Sequence, residues 1–143
     1  MRKFFLVGLL LLAGANSALA AGHLAIDGAW IRSAPPGTMM LAGYANLRND
    51  GDAAVVVTGA DSADFGSVSL HESVEEGGVA RMRALDHVEI KPGASVVFAP
   101  GGKHLMLMRP KPGLKEGDGV KIHLSVQDGV GADAQFVVRD AAP

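Results

Sequence analysis

From Leu24 to Val138, apolar side chains recur in short runs, many of them at every second position, separated by Gly, Pro and Asp. Period-two alternation between turn residues is the mark of β-strands. It predicts strands at Leu24–Arg32, Leu41–Arg48, Ala54–Thr58, Ser67–His71, Val79–Ala84, Val88–Ile90, Ser95–Phe98, His104–Met108, Val120–Val126 and Ala134–Val138. The punctuation between them includes Asn49-Asp50-Gly51-Asp52, Pro92-Gly93, Pro100-Gly101-Gly102 and Asp128-Gly129. No segment carries a long apolar stripe at the helical period, so a helical domain is not expected. Many short strands at close spacing predict one all-β domain of the Greek-key sandwich or barrel type. The Arg109-Pro110-Lys111-Pro112-Gly113 stretch is expected to be a surface loop, because proline donates no ladder hydrogen bond. There is no internal repeat and no linker.

The first residues follow another pattern. Arg2 and Lys3 precede an apolar run from Phe4 to Ala13, and Ala18-Leu19-Ala20 is a small-x-small cleavage site. This predicts an export signal at residues 1–20, a mature β domain at residues 21–143 and a periplasmic location. An uncleaved anchor is the alternative, but the run is short against the ~20 apolar residues that span a bilayer. The signal takes two of the 13 Lys and Arg and none of the 15 Asp and Glu, leaving a charge of −4. No basic patch points to nucleic acid. The chain has no cysteine. That excludes disulfides, a lipid-bearing cysteine, thiol redox chemistry and a blue-copper centre. Any soft metal ligand must be methionine.

Two segments carry candidate ligands. Ser67–His71 and Val79–Ala84 flank Glu75-Glu76-Gly77-Gly78. A hairpin turning about Glu76-Gly77 would set His71 directly opposite Met82, on one face. In His104-Leu105-Met106-Leu107-Met108, alternation puts His104, Met106 and Met108 on one face and the leucines on the other. Two such His/Met pairs brought together make a neutral set of two imidazoles and two thioethers. That set suits Cu(I) and disfavours Mg, Ca and Mn. Taken singly, a strand His is most often a surface residue and a Met beside Leu a gap-filler; only the combination points to a metal.

The spacing of His71, Met82, His104 and Met106 resembles the signature of the PCu(A)C family of periplasmic copper chaperones. Ala29-Trp30-Ile31-Arg32, Pro35-Pro36-Gly37, Ala42-Gly43-Tyr44, Pro100-Gly101-Gly102 and Leu114-Lys115-Glu116-Gly117-Asp118 extend the resemblance over nearly all of the mature chain. The resemblance implies a cupredoxin-like fold and a partly exposed Cu(I) site formed by those four residues. It also implies delivery to the copper centre of a haem–copper oxidase, with the copper-site subunit and a Sco-type protein as partners. Some relatives carry a His- and Met-rich C-terminal tail, whereas this chain ends in Arg139-Asp140-Ala141-Ala142-Pro143.

Other residues are open to more than one reading. Met39 and Met40 either line the rim of the site or pack, and Met108 is expected beside the ligands or in the core. His87 and His123 are expected on solvated surfaces. If Ala21 becomes the first residue, Ala21, Gly22 and His23 form a second site, in which an amine, two amides and an imidazole can hold Cu(II) in a plane. Cleavage after Gly22 would give a different geometry. No nucleophile–base motif is present, so the chain is not expected to be an enzyme. A monomeric Cu(I) carrier is the first reading. A copper buffer or resistance protein without a dedicated target is the second, and a plain β scaffold module the third.

Overall fold

The structure, a computed structural model, describes residues 20–143; the expected signal therefore lies, but for Ala20, outside the described residues. Ten strands form: β1 Leu24–Arg32, β2 Met40–Asn49, β3 Val55–Asp61, β4 Phe65–Glu76, β5 Val79–Ala84, β6 Val88–Ile90, β7 Ser95–Phe98, β8 Lys103–Pro110, β9 Gly119–Val126 and β10 Ala132–Arg139. Each of the ten apolar runs becomes a strand, and the described residues contain no helix. The differences lie at strand ends. β8 continues through Pro110, which pairs with Phe65 as the last residue of the strand, where a missing N–H breaks nothing. Arg109 before it turns to φ 53° and donates its amide to the Met39 carbonyl at 2.8 Å.

The strands follow the order β5-β4-β8-β7-β2-β1-β10-β9-β3-β6, and a further β3–β4 pairing at Ala60↔Val68 joins the sheet to itself. Eight strands thus form a closed barrel, with β5 and β6 attached outside the ring to β4 and β3. Closure removes most free edges. One face of each of the eight barrel strands fills the interior, with Ile31, Leu47, Val57, Leu70, Leu105, Leu107, Val120, Ile122, Leu124, Phe136 and Val138 essentially buried. Each side chain of this kind contributes roughly 1.5–3 kcal/mol when fully buried. Because Leu105 and Leu107 point inward, alternation sends His104, Met106 and Met108 to the outer face.

Candidate metal centre

The outer face of β5, β4, β8 and β2 carries the residues singled out by composition. β4 and β8 are antiparallel, with His71 directly opposite His104, Ser69 opposite Met106 and Ser67 opposite Met108. The two imidazole rings lie nearly parallel, 6.0 Å apart between centroids and tilted by 26°. Met106 follows His104 two residues along the same strand, so both project to one side.

The β4–β5 hairpin differs from the expected one. The turn is Gly77-Gly78, with Glu76 paired to Val79, so Ser73 rather than His71 lies opposite Met82, and His71 faces Ala84. The reason is local. A two-residue hairpin loop of this twist needs positive φ at both positions, and Gly77 and Gly78 supply 59° and 80°. A turn at Glu76-Gly77 would have forced a glutamate there. The register moves by two residues in all, so Met82 stays on the face of His71 and becomes its diagonal neighbour. Met82 is 58% exposed, and β5 makes extensive contact with β4 alone.

Hydrogen bonds orient both imidazoles. His104 is buried, and its Nδ1 lies 3.1 Å from the Gly102 carbonyl, which only an N–H can satisfy, so Nε2 is the ring nitrogen left to meet a metal. His71 Nδ1 lies 3.2 Å from Ser69 Oγ. Burial pushes the His71 pKa below the ordinary imidazole value, and the neighbouring His104 lowers it further, so the ring is uncharged at neutral pH. On the reverse face of the same three strands, Glu72 accepts from Arg83 at 2.9 Å and from Lys103 at 3.2 Å. This lattice ties β5, β4 and β8 together beneath the imidazoles. Neither Ser69 nor the lattice was singled out from sequence; the alternation Ser67-x-Ser69-x-His71 is the signal that could have found the serine.

Among the described residues, no three His, Asp or Glu side chains converge on a point where they could hold a metal. A metal on this face would therefore use sulfur. A cleft lies elsewhere, at the far end of β8, lined by Pro35, Pro36, Met39, Pro110 and Leu114. His87 is exposed, and His123 is held by Asp133 at 2.6 Å.

Ala21, Gly22 and His23 are engaged with the Asn49–Asp52 turn. The His23 amide donates to Asn49 Oδ1 at 3.2 Å, its ring Nδ1 bonds Asp50, and the Ala21 carbonyl accepts from Asp52 at 2.8 Å. Asn49 itself is fully buried and satisfied, since its amide nitrogen also donates to the Ala53 and Ile90 carbonyls. A planar Cu(II) site would need both the amide and the ring nitrogen of His23, so it would have to displace these partners.

Comparison with known proteins places this geometry in context. The family model described as "Putative lipoprotein LpqE-like" matches residues 24–138. A relative described as "Putative lipoprotein Lxx21020", from Leifsonia xyli subsp. xyli, is 32% identical over 121 residues, covering 84% of this chain and 72% of its own length. Among solved structures, CuI-DR1885 from Deinococcus radiodurans is similar, with a TM-score of 0.64 and 28% identity over 90% of this chain and 83% of that one. The copper-bound PCuAC domain from PmoF2 aligns with a TM-score of 0.67 over 86% of this chain and 99% of the domain; at 23% identity it speaks to the fold. The barrel is thus of the cupredoxin-like type seen in PCuAC domains, and by the match along residues 24–138 the chain belongs to the LpqE-like family.

Proposed function

We propose that this protein is an exported, non-enzymatic carrier of Cu(I), with His71, Met82, His104 and Met106 as the ligands. The observation that carries the reading is the facing pair of imidazoles on β4 and β8, with Met106 next along β8 and Met82 on the adjoining edge strand of the same face. Two imidazoles and two thioethers favour a soft monovalent ion, whereas zinc recruits thiolate, imidazole or carboxylate. The likeness to CuI-DR1885 supports the same choice. Copper is cargo here and must leave. Met82, exposed on a strand held by one neighbour, is the ligand a partner can displace first.

The resemblance to the PCu(A)C chaperones supports the finer reading: a periplasmic chaperone that hands copper to the copper-site subunit of a haem–copper oxidase, working beside a Sco-type protein. Export is supported by the N-terminal signal pattern and by relatives described as lipoproteins. With no cysteine, this chain has no residue on which a thioether-linked lipid could form. Titration of the mature protein with Cu(I) against a competing chelator tests the reading. One tight equivalent is expected, with Zn(II) far weaker; equal affinity for the two ions would refute it. Copper transfer to an apo oxidase copper domain then separates a chaperone from a buffer.

A further inference from the structure

The outer face of β8 does not end at Met106. Two residues further, Met108 stands directly opposite Met40 of β2, and Met106 stands opposite Ala42. Directly opposed side chains have Cβ atoms about 5 Å apart, and same-face neighbours along a strand are about 7 Å apart. Three thioethers therefore occupy one patch, beginning where the imidazole pair ends. Inner and outer positions of β8 are sharply sorted: Leu105 and Leu107 fill the core, and methionine stands at both outer positions that follow His104. Core filling does not account for the three, because Met40 is 46% exposed and Met106 and Met108 are only half-buried. The residues facing the patch are small. Ala42 flanks Met106 from β2, and Ser69 and Ser67 lie opposite Met106 and Met108 on β4.

We propose that Met40 and Met108, sharing Met106, form a second and weaker position for a soft monovalent cation, a thioether step beside the imidazole site through which Cu(I) passes on loading or release. The inference rests on the copper reading above and extends it. Thioethers are neutral, bind d10 ions weakly and exchange quickly, and Met106 is common to both positions. An ion can therefore move from one to the other by trading imidazole and Met82 for Met108 and Met40, with no change of oxidation state and no proton transferred.

The test is titration of mature protein labelled with 13C at its methionine methyls, using Ag(I) as a redox-inert Cu(I) analogue. The first equivalent is expected to move the Met82 and Met106 methyls, and the second to move Met40 and Met108 together. Met40→Leu/Met108→Leu should keep the first equivalent and weaken the second at least about tenfold, as loss of metal-supporting groups generally does. If Met82 and Met106 respond while Met40 and Met108 stay still through several equivalents, the second position does not exist and the copper reading stands. If none of the four responds, the copper reading falls and the inference falls with it.

Discussion

Replacing Met82 by alanine separates binding from folding. Met82 is 58% exposed, so less than half of the ~1.5–3 kcal/mol available from burying such a side chain is present to be lost. The expected cost is about 1 kcal/mol or less, a fall in Tm of roughly 4 °C for a domain of this size. The backbone of β5 is unaffected, because Ser73↔Met82 pairing and the Glu72–Arg83 ion pair do not involve the sulfur. The effect on copper should be far larger. Loss of one of four ligands is expected to weaken Cu(I) binding at least ~10–100-fold, the range found even for groups that only support a metal site, or ~1.4–2.8 kcal/mol. Chelator competition measures the affinity and thermal unfolding of the apo protein measures the stability. Unchanged Cu(I) affinity, or a loss of stability matching the loss of affinity, would refute the assignment of Met82 as a ligand rather than a packing residue.

Further outcomes follow from the same geometry. His104→Ala should abolish tight Cu(I) binding and, because the ring is buried against the Gly102 carbonyl, should also cost roughly 2–3 kcal/mol; calorimetry on the apo variant checks this. His71 carries a lowered pKa through burial and then through His104, so below about pH 6.5 the unfolded chain takes up a proton that the fold resists. Stability conferred by the neutral ring is complete above that pH and is lost as pH falls through the depressed folded value. The apo protein should accordingly lose stability on acidification less steeply once His71 is replaced by Asn, and equal slopes would contradict the cause given. Gly78→Ala places a side chain at φ 80° and should cost about 1 kcal/mol or more while shifting the position of Met82, read as a weaker Cu(I) complex. With Ala21 as first residue, planar Cu(II) at Ala21-Gly22-His23 must displace Asn49 and Asp50 and release the Gly22 and His23 amide protons, and that proton release means its spectrum should grow in only as pH rises. A spectrum that survives His23→Ala would place the Cu(II) elsewhere.

Strand positions were legible because alternation and turn chemistry agree: β1, β5, β6 and β7 have the bounds their apolar runs predict. Strand partners beyond the β4–β5 hairpin were not, since pairing is decided by barrel closure. Nothing local in Ser67–His71 says that its neighbour is His104–Met108, yet that pairing brings His71 opposite His104. The hairpin error had a readable cure, because two adjacent glycines fit a turn with two positive φ values better than Glu76-Gly77 does. Met108 was correctly placed on the face of Met106 by counting, but its partner Met40 lies on β2, far away in sequence, and only the sheet register joins them.

The central claim is the ligand set, and X-ray absorption on the protein carrying one equivalent of Cu(I) tests it most directly. The account predicts a first shell of two imidazole nitrogens and two sulfurs, with one nitrogen lost in His71→Ala and one sulfur lost in Met82→Ala. A shell of nitrogen and oxygen alone, or one unchanged by both substitutions, would contradict it.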